Sequence, residues 1–160
     1  GCNDNSVNKR AGGDQSSKLK NANLPIYPNA QNIEEQSLNK DQVQAVTYSL
    51  EINYPAKEVL NFYEKEMQRL GYEPFSEEYY KYDDRTWSFY GDATIKGSPD
   101  VAQLKADWVD SKKTKRASLT LKYYWYNKSK KTVLNDNKDL KVSFSIMPYY
   151  ILPPPVEVTE

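Results

Sequence analysis

The side chains able to do chemistry form an uneven set: 14 tyrosines, 22 acids, one cysteine and no histidine. Without histidine the commonest general base is missing, and with it the usual serine and cysteine triads and most zinc sites. Cys2 has no imidazole partner to activate it as a nucleophile. A phosphate-cradling glycine loop is missing too, because Gly12-Gly13 lies in a polar tract and the other glycines are isolated.

Oxygen chemistry is what remains. Asn135-Asp136-Asn137-Lys138-Asp139 begins like a calcium loop, but Leu140 stands where glycine is required and Ile146 where the bidentate glutamate belongs. Glu77-Glu78 with Asp83-Asp84, or Asp107 with a second acid, would be the raw material of a carboxylate pair for glycoside hydrolysis. Spacing alone cannot support such a pair and a solvated charge run is the better reading, so no catalytic residue, no metal and no cofactor is expected.

Tyrosine is the stronger pattern. It clusters at Tyr79-Tyr80-Tyr82, Tyr123-Tyr124-Tyr126 and Tyr149-Tyr150. In an alternating strand with Tyr123 and Trp125 inside, Tyr124 and Tyr126 point outward. Exposed tyrosine supplies large contact area at low entropic cost, which suits a peptide, glycan or protein partner. Tyrosine also favours strands on propensity alone. Tyr79, Tyr80, Tyr82, Tyr124 and Tyr126 are the candidate binding surface.

Charge adds a constraint. Lys plus Arg and Asp plus Glu are 22 each, so no global field gathers polyanions and no nucleic-acid partner is expected. Residues 1–100 carry 11 basic and 16 acidic side chains, residues 101–160 carry 11 and 6, and the C-terminal part is locally positive. Lys112-Lys113 with Lys115-Arg116, and Lys128 with Lys130-Lys131, flank opposite ends of one strand. One cluster facing anionic head groups would add to membrane affinity; as ordinary loop lysines they would solubilise and protect an edge.

The elements that must position these groups are legible from periodicity. At 160 residues, 38% hydrophobic, the chain suits one domain plus a tail, and no run approaches the roughly 18 apolar residues of a membrane helix. Residues 3–23 are almost wholly polar and cannot offset the entropy of ordering, so 1–23 is expected to be a flexible tether reaching about 25 Å. Residues 24–160 are expected to form a single α+β domain. Two prolines at 25 and 28 hold an extended segment, and residues 31–44 show no firm periodicity and are expected as loop. Val46, Tyr48, Leu50 and Ile52 alternate as a strand. Pro55 is placed at the first helical position, and Val59, Phe62, Tyr63, Met67 and Leu70 form one helical stripe ended by Gly71. Alternation then marks strands at 85–90, 102–108, 117–126 and 141–146, with 73–85 ambiguous and a polyproline tail at 152–155. The expectation is a two-layer α+β sandwich, one amphipathic helix on a roughly five-stranded antiparallel sheet, its order strand, helix, four strands matching the cystatin-like arrangement.

Gly1-Cys2 followed by a polar stretch resembles the processed junction of bacterial lipoproteins, where cleavage precedes a cysteine that receives a diacylglycerol. The resemblance implies a lipid anchor at Cys2, membrane association through it, and an exported, periplasm-facing or cell-surface location. A second likeness spans residues 24–72: LPIYPNA, an alternating strand, Phe62-Tyr63 and Leu70-Gly71-Tyr72 are similar to small exported bacterial proteins in which a P-x-Y-P segment precedes a strand and a helix ending in Gly plus an aromatic. That family often has Trp where Tyr72 stands. The likeness implies fold and export, with no activity. The expected function is therefore a non-enzymatic envelope lipoprotein acting as an interaction or ligand-binding module, with a carboxylate and tyrosine hydrolase of envelope carbohydrate, or a structural subunit of an envelope assembly, as alternatives.

Overall fold

The computed structural model describes residues 24–38, 40, 42–76, 84–90, 100–125 and 137–149. Cys2 and the tether, Tyr79, Tyr80, Tyr82, Tyr126, the lysines at 128–131, the residues at 135 and 136, and the polyproline tail lie outside them.

Backbone pairing builds a larger sheet than side-chain alternation announces. The strands are β1 (Gln31–Leu38), β2 (Val43–Glu51), β3 (Tyr72–Phe75), β4 (Trp87–Tyr90), β5 (Asp100–Asp110), β6 (Lys115–Trp125) and β7 (Asp139–Pro148), with helix α1 (Lys57–Arg69) after β2. All seven strands join one antiparallel sheet in the order β1-β2-β7-β6-β5-β3, with β4 also on β5. The expected five strands are thus corrected to seven. Two strands precede the helix, so the cystatin-like order is corrected as well.

Both additions are edge strands, and that explains why alternation missed them. β1 occupies the segment expected as loop, and of its residues only Ile33 packs on the core as a hydrophobe. A strand needs backbone partners rather than apolar side chains, and a polar edge also resists pairing with other chains. β3 opens the ambiguous tract and contains Pro74, which a central strand would not tolerate. β3 pairs with Asp107–Asp110 of β5 and β4 with Val101–Leu104, so these two short strands share one edge of an 11-residue neighbour.

The central strands follow their alternation. Val46, Tyr48 and Leu50 stand opposite Phe144, Val142 and Leu140, and the same inward rows continue through Leu119 and Leu121 to Ala106 and Leu104. All are buried in one core cluster. Helix α1 lays Val59, Tyr63 and Met67 on this face at full burial, with the Tyr63 ring stacked on Phe144 at 4.7 Å. Val59 and Met67 each contribute on the order of 1.5–3 kcal/mol by burial.

The helix limits differ slightly from expectation. Helical residues begin at Lys57, after a cis Tyr54-Pro55 bond and Ala56 in the left-handed region at φ 52°, so Pro55 is not the first helical residue. Its carbonyl instead accepts the Trp87 indole N–H at 3.0 Å. Gly71 ends the helix at φ 86°, a conformation that suits a residue without Cβ. Leu70, expected on the buried stripe, is 43% exposed, because the stripe ends at Met67.

Three polar devices join the layers. Tyr63 donates to the Pro25 carbonyl at 2.9 Å, the Tyr27 N–H donates to the Tyr48 hydroxyl at 3.1 Å, and the Tyr27 ring meets Phe62 edge-on at 5.3 Å. The P-x-Y-P segment and the Phe62-Tyr63 pair are therefore one packed unit. Arg85 reaches from the β4 side to Glu64 on α1 at 3.1 Å and to the Asp107 carbonyl at 2.8 Å, its guanidinium 5.0 Å from the centre of the Trp108 ring. Tyr123 donates to the Ile52 carbonyl at 2.6 Å within an aromatic cluster of Tyr54, Trp87 and Phe89.

Candidate functional site

With α1 on one face of the sheet, the opposite face is the place where side chains remain open to a ligand. Alternation assigns it Thr47 and Ser49 from β2, Lys141 and Ser143 from β7, Thr120, Lys122 and Tyr124 from β6, and Gln103 and Lys105 from β5. Register then sorts them into rows. Ser49, Lys141, Lys122 and Gln103 stand side by side across β2, β7, β6 and β5, and Thr47, Ser143, Thr120 and Lys105 form the adjacent row.

The β2, β7 and β6 members of these rows floor a shallow groove of about 440 Å³. Its far wall is β1, which supplies Asn32 and Glu34. β1 is bulged between Gln31 and Glu34, with Asn32 in the left-handed region at φ 55°. Asparagine adopts that conformation more readily than other non-glycine residues, and a bulge re-aims the side chain it carries.

The charge arrangement in the groove is unusual for a sheet. Lys122 and Lys141 are directly opposite one another on neighbouring strands. Like charges so placed destabilise the pair of strands. Lys141 is compensated, since it donates to the Ser49 hydroxyl at 3.1 Å and pairs with Asp139 at 3.1 Å. Lys122 has no ion pair among the described residues.

Tyr124 is 41% exposed and lines the groove, as expected for the outward half of its strand, while Tyr123 is fully buried. Tyr90 of β4 and Tyr124 of β6 both stand opposite Val101 of β5, so the two rings flank one apolar side chain at the end of the face. The Tyr90 hydroxyl donates to Gln103 at 3.1 Å, which ties this aromatic end to the row containing Lys122.

Lys122, Lys141 and Tyr90 were not singled out in the sequence. The outward direction of the two lysines was legible from alternation. Their adjacency required the β6 to β7 register, and Tyr90 required the placement of β4 on β5. The basic turn at Lys112-Lys113 is exposed at the β5 to β6 hairpin, away from the groove.

Acid chemistry finds little to work with among the described residues. Asp107 accepts from Ser118 at 2.5 Å and from Arg116 at 3.4 Å, so it is held in a polar cluster on the sheet. Glu34, the acid in the groove, is four strands from Asp107; at about 4.8 Å per strand the separation is roughly 19 Å, beyond a glycosidase pair at roughly 5–9.5 Å. Glu51 stands opposite Asp139, but both are exposed and Asp139 is committed to Lys141. The buried phenols are structural: burial lifts Tyr48 to about 12 and Tyr63 well above its ordinary value, so neither ionises near neutrality. No group of acids or cysteine able to hold a metal ion occurs among the described residues, and no described helix is long and apolar enough to cross a membrane.

No family model, curated protein or solved structure matches the chain.

Proposed function

We propose that the domain is a non-enzymatic binding module of the bacterial envelope, tethered by a lipid on Cys2, whose ligand lies in the groove on the open face of the sheet. The observation that carries the binding reading is Lys122. Placing an ammonium opposite Lys141, without a compensating carboxylate among the described residues, works against the stability of two central strands. A ligand that brings negative charge to this point resolves the conflict. The surrounding hydroxyls of Thr47, Ser49, Thr120 and Ser143 and the exposed Tyr124 ring supply directional and apolar contacts of the kind small-molecule sites use.

The tether reading rests on the Gly1-Cys2 junction and the polar residues that follow it. It is independent of the groove.

A thermal-shift screen of the full chain tests the binding reading, with glycans, envelope peptides, anionic head groups and divalent metals as probes. A groove ligand at about 100 times its Kd adds roughly 2.7 kcal/mol, a rise of roughly 5–10 °C at this chain length. The rise should shrink in Lys122→Gln. A ligand whose effect is untouched by Lys122→Gln and Tyr124→Ala would move the site elsewhere. Mass spectrometry of protein extracted from native membranes tests the tether, and a free thiol at Cys2 would remove it.

A further inference from the structure

We infer that the groove recognises an anionic oligosaccharide, a sugar chain carrying carboxylate or phosphate groups. This rests on the open sheet face being the binding surface, and names the ligand class that fits it.

Four observations converge. Lys122 and Lys141 stand on adjacent strands, about 5 Å apart at the backbone, and because the Lys141 ammonium is held by Ser49 and Asp139, Lys122 is the cation left to meet a carboxylate or phosphate. Around them the floor is hydroxyl-rich, with Thr47, Ser49, Thr120 and Ser143 able to donate and accept, as sugar hydroxyls also do. Next to the lysine row, Tyr90 and Tyr124 are 51% and 41% exposed and stand two strands apart, about 10 Å, with Val101 between them. Such rings offer an apolar body with a polar tip, matched to the C–H face and hydroxyl rim of a sugar ring. The fourth is position: the groove crosses β2, β7 and β6, strands paired on both sides, whose backbone groups are already engaged.

That last point weighs against an extended peptide, which gains affinity by adding to a free strand edge. Single-stranded nucleic acid would also use lysine and tyrosine. It calls for a basic track along the backbone, whereas the positive charge here is local and Glu34 and Asp139 lie at the margins of the same face. An anionic sugar needs only the local charge of Lys122.

The test is calorimetric titration of the full chain with oligogalacturonate, a phosphorylated and a sulfated oligosaccharide, a neutral maltooligosaccharide of equal length, polyglutamate and an oligodeoxythymidylate. At least one anionic sugar should bind at least tenfold more tightly than the neutral one. Lys122→Gln should weaken it at least tenfold, and so should Tyr124→Ala, with melting temperatures within about 2 °C of the parent protein. Tighter binding of polyglutamate or the oligonucleotide through Lys122 would overturn the sugar assignment and leave the face as a binding surface. Equal binding of neutral and anionic sugars would overturn the role of charge. Silence from every probe would overturn the assignment itself, and if unbiased crosslinking in whole cells then also found nothing at Tyr124 or Lys122, the binding surface would fall with it.

Discussion

Tyr48 and Tyr63 meet hydroxyl to hydroxyl at 2.5 Å, one from β2 and the other from α1. Each phenol has one proton. Tyr63 commits its own to the Pro25 carbonyl, so Tyr48 donates to Tyr63 and accepts from the Tyr27 N–H. The relay runs from one backbone group of the P-x-Y-P segment to another through two buried side chains, satisfying polar atoms that would otherwise be costly to bury.

Removing either hydroxyl therefore strands a backbone group. Tyr63→Phe and Tyr48→Phe should each cost about 1–3 kcal/mol. The double variant should cost less than the sum, because both act in one relay. Urea denaturation checks this through a lowered midpoint at unchanged slope; strict additivity would mean that the two phenols act separately.

The same pair predicts alkaline sensitivity. An unfolded tyrosine ionises near 10, and burial raises Tyr48 to about 12 and Tyr63 further. Tyr123 is also raised, by burial first and then by the Glu58 charge. A raised folded pKa means that the native state holds more protons above pH 10. Stability is then complete below about pH 10 and falls as pH climbs towards 12 and beyond. Melting temperature against pH should show this decline, and Tyr48→Phe should flatten it.

Arg85 clamps the helix to the sheet. Burial alone would lower its pKa, but Glu64 and Asp84 outweigh that and hold the guanidinium above its ordinary value. Arg85→Ala should cost about 1–3 kcal/mol, and Arg85→Lys should recover only part, because an ammonium cannot keep the fork to Glu64 while reaching the Asp107 carbonyl. Full recovery by lysine in thermal melts would reduce the clamp to simple charge.

Asp110 organises the β5 to β6 turn, accepting from the Thr114 N–H at 2.7 Å, the Lys115 N–H at 3.0 Å and the Thr114 hydroxyl at 2.8 Å. Desolvation pulls its pKa upward, but these donors and the Lys115 charge prevail and leave it below the ordinary value. The turn's stabilisation is present above about pH 4, the unfolded value, and is lost as pH falls through the depressed folded value. The Thr114 and Lys115 amide resonances should titrate with that depressed midpoint, and an ordinary midpoint would dissociate Asp110 from the turn.

Lys122→Glu reverses one charge of the lysine pair. It should raise stability by a few tenths to about 1 kcal/mol, moving the melting temperature up by about 1–4 °C, while abolishing binding of anionic ligands. A lower melting temperature would mean that Lys122 serves the fold.

Alternation alone determined which side of each central strand faces the core, because side chains in a strand repeat every two residues and the apolar ones must leave water. Tyr123 went in and Tyr124 out on that rule. The helix stripe and the Gly71 stop were legible for similar local reasons. What tertiary structure decided was neighbourhood. β1 and β3 escaped notice because an edge strand is held by backbone bonds that carry no side-chain signature. Lys122 and Lys141 are 19 positions apart in the chain, and only the β6 to β7 register sets them opposite each other. Tyr90 joined Tyr124 only because β4 pairs with β5. A strand's own residues specify its faces, whereas the partner it pairs with depends on the packing of the whole sheet.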